Sequence, residues 1–216
     1  MAAKKYRMPL YYENKAMEYG KKYGLKQNEV SPGWDDEIDA FRHAFMQAYI
    51  TANSGAGNAK FLGDAYEKIG DIMHSQPSGE RNMDLWNNAI GREIGEEVKN
   101  ETSHFRHLTT QEMFEDMIAE KIYNRMKNGE MITTIKDLRD FETSPYNGRI
   151  YTREEIGSMP PDEYEINKKL IDKALSRGDV MSEKDVKNLV QSGGAVYVKG
   201  YKRSDGTQVK GYYRRK

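Results

Sequence analysis

The chain has 216 residues, 37% hydrophobic and 31% charged, which suits one real core with attachments and a surface rich in solvated charge. It balances 34 Lys and Arg against 34 Asp and Glu and has no Cys, which excludes disulfides, thiolate nucleophiles and cysteine-ligated metal sites. No apolar run approaches the roughly 18 residues that cross a bilayer, and the start lacks a secretory h-region, so neither a membrane span nor Sec export is expected.

The zero balance conceals a polarised chain: residues 1–27 carry +5, residues 196–216 carry +6 and the stretch between them −11. That middle stretch reads as helical, because apolar residues recur at helical spacing and almost nowhere alternate. Helices are predicted near 12–20, 35–52, 57–74, 83–99 and 109–127, with turns at NSGAGN (53–58) and SQPSGERN (75–82). Residues 1–142 form the expected core domain. Its last helix carries a capping box, Thr109 with Glu112, and a stripe of Met113, Phe114, Met117, Ile118 and Ile122, and it stops at Asn128-Gly129.

From about residue 143 to 195 the expectation is a linker with short helices. One is capped by Thr152, one follows Pro160-Pro161, and one opens at Ser182 with Asp185. Residues 196–216 switch to strand-like runs around Ser204-Asp205-Gly206, a hairpin signal. The fold class is thus mainly α, with a C-terminal β-hairpin.

Several positions could carry chemistry. On the second helix Ile38, Phe41, Phe45, Ala48 and Tyr49 form the buried stripe, and Asp36, Asp39 and His43 a second stripe beside Arg42. The third helix packs Phe61, Leu62, Ala65, Ile69 and Ile72, with Asp64, Glu67 and Asp71 on a polar line that His74 extends. If the two helices are antiparallel neighbours, these lines face one cleft. That cleft would hold either a general base, His43, oriented by Asp39, or an oxygen-rich divalent-metal site using Asp64 and Glu67. Taken alone, Asp36, Asp64 and Asp71 read as solvated, and His74, His104 and His107 as residues at element ends.

The fourth helix spends propensity on Asn87-Asn88, Gly91 and Gly95, which close backbone approach to a helix or a ligand would explain. Asp84, Asn87, Asn88 and Arg92 would then line the cleft, or else form a buried network that fixes registry. The C-terminal hairpin interleaves Tyr197, Tyr201 and Tyr212 with Lys199, Lys202, Arg203, Lys210 and Arg214. This combination suits single-stranded nucleic acid, or docking on an assembly partner.

The series DAFRHAF (39–45), GDAYEKIGD (63–71) and NMDLWNNAIGREIG (82–95) resembles an uncharacterised helical domain of bacterial polymorphic toxins and phage or prophage proteins. The resemblance covers about residues 34–100 and implies shared polar positions at Asp39, Arg42, His43, Asp64, Glu67, Asp84, Asn87, Asn88 and Arg92, without a reaction. Residues 152–180 and VYVKGYKRSDGTQVKGYYRRK (196–216) are similar to the tails of phage head-associated and minor capsid proteins. Two functions follow as expectations. One is a virion-associated or effector hydrolase with His43 as acid or base and water as nucleophile, acting on an ester, amide or phosphodiester. The other is a non-enzymatic virion or assembly protein whose polar cluster is structural and whose basic tail meets capsid, portal or DNA.

Overall fold

Asp36, Thr110, Thr152 and Ser182 each stand before a helix and take up a backbone N–H group that its first turn leaves without a partner. In the computed structural model, which describes residues 10–29, 31–74, 78–202, 206 and 208–216 and leaves aside the side chains of 66–74 and 78, the helices fall in two units. These are Met1–Arg139 and Asp140–Lys216. The chain is mainly helical, with small C-terminal sheets of short strands.

The first unit contains α1 (Leu10–Tyr23), α2 (Glu37–Ser54), α3 (Ala56–His74), α4 (Ser78–Thr102) and α5 (Gln111–Lys127). Its core holds Ile38, Phe41, Phe45, Met83, Trp86, Ile90, Ile94, Phe114, Ile118 and Ile122, all buried. The expected stripes of α2 and α5 hold except at their edges, since Met113 is exposed. In α3, against the expected packing, Phe61 is 73% and Leu62 40% exposed, and the side chains of Ile69 and Ile72 lie outside the described residues. Thr110, not Thr109, caps α5 and accepts the N–H of Met113 at 3.2 Å. Gly55 alone separates α2 from α3, a tighter connection than the predicted six-residue turn.

α2 packs most extensively on α4, not on α3. The two run parallel, for contacts advance in step from Ala44 and Gln47 against Gly91 to Ala48 and Thr51 against Gly95. A Cβ on either glycine would collide with α2 backbone, so these glycines serve helix-to-helix approach.

The second unit contains β1 (Arg149–Thr152), α6 (Arg153–Gly157), α7 (Pro161–Ser176), β2 (Val180–Met181), α8 (Glu183–Gln191), β3 (Ala195–Val198), β4 (Tyr201–Lys202), β5 (Gln208–Val209) and β6 (Tyr212–Arg215). Strands pair in the order β2-β1-β6-β3, with β1 and β2 parallel and the rest antiparallel, and β4 pairs with β5. The stretch read as a linker therefore supplies two strands, and the hairpin docks on β1. Successive residues of a strand face opposite sides: Ile150 meets Val186 of α8, and Tyr151 meets Ile171 and Ala174 of α7. Thr152 and Ser182 cap α6 and α8 as their spacing predicts. Most of the expected turn at Ser204-Asp205-Gly206 lies outside the described residues.

Candidate functional site

The site is assembled where α2 begins. Asp36 precedes the helix and caps it, with Oδ1 accepting the Asp39 N–H at 2.9 Å and Oδ2 accepting the N–H groups of Gly33 at 2.7 Å and Asn28 at 2.9 Å. It is buried, so the solvated reading of Asp36 is overturned: its carboxylate folds the entry loop. Asp35 takes a left-handed conformation, φ 54°, which short polar residues tolerate better than others. From there its N–H donates to Asp39 Oδ2 at 2.7 Å. Arg42 donates to Asp39 Oδ1 and to the Gly33 carbonyl, and its guanidinium lies 4.8 Å from the centre of the Trp34 ring. Both oxygens of Asp39 are thus oriented before any ligand arrives.

One turn on, His43 reaches α4. Its Nδ1 lies 3.3 Å from Asn88 Oδ1, while Nε2 lies 3.1 Å from Asp84 Oδ1 and 3.5 Å from Asp39 Oδ1. All four are buried: Asp39 is 3%, His43 6%, Asp84 7% and Asn88 2% exposed. The tautomer of the ring decides which nitrogen donates, Nδ1 toward the Asn88 amide or Nε2 toward the carboxylates. With the proton on Nδ1, Nε2 faces two carboxylate oxygens, of which Asp39 Oδ1 also accepts from Arg42. Acceptors opposed in a buried place are costly unless something positive stands among them. A metal ion would serve, and so would a second proton on the ring.

The donor set fits a metal ion. One ligand atom from each of Asp39, His43 and Asp84 lies within 4.8 Å of the others, so the group could hold one. Bonds of about 2.0–2.2 Å to nitrogen and oxygen place neighbouring donors about 3.0–3.5 Å apart, and the two separations from Nε2 match that. Three protein donors leave positions open, as at catalytic centres.

The remaining candidates stand elsewhere. Asn87 spends its side chain on Ile132, donating to that carbonyl at 2.7 Å and accepting its N–H at 3.1 Å. It straps the segment after α5 to α4, next to Trp86, which donates to the Glu130 carbonyl. Arg92 donates to Gln47 Oε1 at 3.1 Å, one helical turn beyond the His43 and Asn88 pair. Burial lowers its pKa, with Asp64 and Glu93 pulling the other way. Asp64 pairs with Lys60 at 2.5 Å on the surface, apart from the buried group. The side chains of Glu67, Asp71 and His74 lie outside the described residues. His104 and His107 are exposed in the turn after α4.

The sequence reading missed Gln47 and Thr51, both buried. They continue the four-residue spacing of Asp39 and His43, and that spacing was the available signal. On the tail, Tyr212 is buried and donates to the Glu142 carbonyl at 3.0 Å, so it is no stacking platform. Tyr201 donates to Glu142 Oε2, Tyr197, Lys199, Lys202 and Lys210 are exposed or at the surface, Arg214 is half-buried in β6, and Arg203 lies outside the described residues.

Fold and site together define a mainly helical domain with a buried Asp-His-Asp centre shared by two parallel helices. The model of a family described as a domain of unknown function, DUF6973, matches residues 6–130, more than half of the chain, and the chain belongs to that family. No curated protein and no solved structure matches it.

Proposed function

We propose that the helical unit is a hydrolase that uses a divalent cation held by Asp39, His43 and Asp84, with water as nucleophile, and that it serves a phage virion or a delivered effector. One observation supports the chemical part: one ligand atom from each of Asp39, His43 and Asp84 lies within 4.8 Å of the others in a buried place. The mixed nitrogen and oxygen set favours Mn²⁺ or Zn²⁺ over Mg²⁺ or Ca²⁺. A bound cation would supply Lewis acidity and a more acidic water. The protein's share is positioning: Arg42 and the Asp35 N–H hold Asp39, and Asn88 holds the ring. Asp39 and Asp84 bring two negative charges and Arg42 one positive, so a divalent cation reverses the residual charge without leaving a large excess. The phage or effector setting rests on the resemblances of residues 34–100 and of the C-terminal segments.

The burial of all four residues favours a second reading, in which the ring is doubly protonated and bridges two carboxylates as a structural network of a virion or assembly protein. The two readings separate on activity. With Mn²⁺ or Zn²⁺ supplied, the full chain is expected to hydrolyse a chromogenic member of one panel of esters, anilides and aryl phosphodiesters. His43→Gln should remove that rate while leaving the fold intact by circular dichroism. An active His43→Gln, or a wild type inert across the panel, contradicts the hydrolase reading.

A further inference from the structure

The second unit has a groove of about 630 Å³, within the size range of ligand sites, that the hydrolase reading does not use. Its aromatic wall follows from strand register. Tyr197 on β3 is paired directly with Tyr213 on β6, so the two rings share a face, 5.0 Å apart and inclined by 57°, as an open corner. Gly211 lies under the Tyr197 hydroxyl, where any Cβ would displace the ring.

The lining also carries carboxylates, of which Glu155 pairs with Arg149 at 2.5 Å and Glu183 with Lys187 at 3.0 Å. α6, α7 and α8 begin beside the groove and carry Glu154, Glu163 and Glu183 in their first turns. Complementing the helix dipole explains each carboxylate separately. It does not explain three helix starts converging on one tyrosine corner. Glu154 Oε2 accepts the Glu183 N–H at 3.2 Å, which holds two of the helix starts together. Lys210, from the segment between β5 and β6, lines the groove with a side chain 88% exposed, and its Nζ stands 3.9 Å from Glu163 Oε1. That ion pair is long and exposed, so it is weak and exchangeable.

We propose that this groove binds a polypeptide segment rich in arginine or lysine. Carboxylates beside inclined aromatic faces provide ion pairing and cation–π attraction together. Lys210 stands where an incoming cation would, as a loosely held internal competitor. The three carboxylates come from three helices, which suits several cations along a peptide better than one small amine. The sequence recipe for nucleic acid counted Tyr197 among stacking residues, but in the fold Tyr197 borders carboxylates that would repel phosphate.

The test is fluorescence anisotropy of the full chain with a labelled nonapeptide of alternating arginine and glycine, alongside a labelled oligothymidylate. Saturable peptide binding that weakens with salt is expected. Tyr197→Ala and Glu163→Gln should each weaken it by about three- to tenfold, and Lys210→Gln should tighten it about two- to threefold. Glu163→Gln changes a half-exposed side chain and keeps the test sound should Tyr197→Ala perturb the sheet. No saturable binding, equal binding in all variants, or a preference for the oligonucleotide overturns the proposal.

Discussion

His43 is defined by its two nitrogens, which meet different partners for reasons that lie in different helices. The relation of Asp39 to His43 is legible in the sequence, because four residues make one helical turn. Asp84 and Asn88 are legible as cleft candidates, from the odd composition of their helix and from the resemblance, but the sequence does not show which partners they meet. Their meeting with His43 depends on which helix α2 packs against, and the short link to α3 pointed to the wrong neighbour. Another buried carboxylate, away from this group, offers a cleaner electrostatic test. Glu115 accepts from Tyr11, from Lys15 at 2.9 Å and from Gln111 at 2.5 Å, tying α1 to α5. Burial alone would raise its pKa, but those hydrogen bonds outweigh burial and hold it below the ordinary value. A carboxyl depressed in the folded state stabilises above its unfolded pKa, about 4.3, and that share is lost as pH falls through the folded value. Glu115→Gln should therefore cost about 1–3 kcal/mol at pH 7. It should also flatten the fall of stability below about pH 4. Urea melts across pH check both, and a variant as stable as wild type at pH 7 would contradict the account.

At the scale of elements, α2 and α4 approach as closely as their glycines allow. Ala at position 91 would gain about 1 kcal/mol of helix propensity. It would also drive a methyl group into the backbone of Ala44, which cannot rotate aside. Overpacking of this kind costs about 1–3 kcal/mol, and an immovable backbone puts the case at the upper end. Gly91→Ala is expected to lose about 1–2 kcal/mol net, measured by thermal or urea unfolding. A stabilised variant would show that the helices are not in contact there. Other elements show why boundaries were read unevenly. Thr152 and Ser182 were legible as caps because each stands alone before its helix, whereas Thr109-Thr110 offers two frames and the structure uses the later one. β1 has four residues and β2 two, too short for alternation to show. β1 is held as a strand by β6, and β2 by β1.

At the scale of the whole molecule, the family match falls on the helical unit, and the C-terminal segment is a small sheet rather than a detachable tail. Removing residues 196–216 would take away β3 and β6 and leave β1 without its antiparallel partner, so such a deletion tests the sheet as much as any partner. The charge polarity of the ends was legible. Where that charge sits was not, because register places Tyr197 and Tyr213 beside carboxylates from three helix starts.

Thermal melting of the full chain shows whether Asp39, His43 and Asp84 hold a divalent cation. Wild type and Asp84→Asn are compared in EDTA and with Mn²⁺ or Zn²⁺. A cation bound only by the folded state stabilises it by about 2.7 kcal/mol at a hundred times its Kd. That rise is expected in wild type and not in Asp84→Asn, with the variant in EDTA at least as stable as wild type because one of two crowded carboxylates is gone. No cation-dependent rise, together with several kcal/mol lost in Asp84→Asn, would contradict the account and leave His43 as a protonated bridge in a structural network.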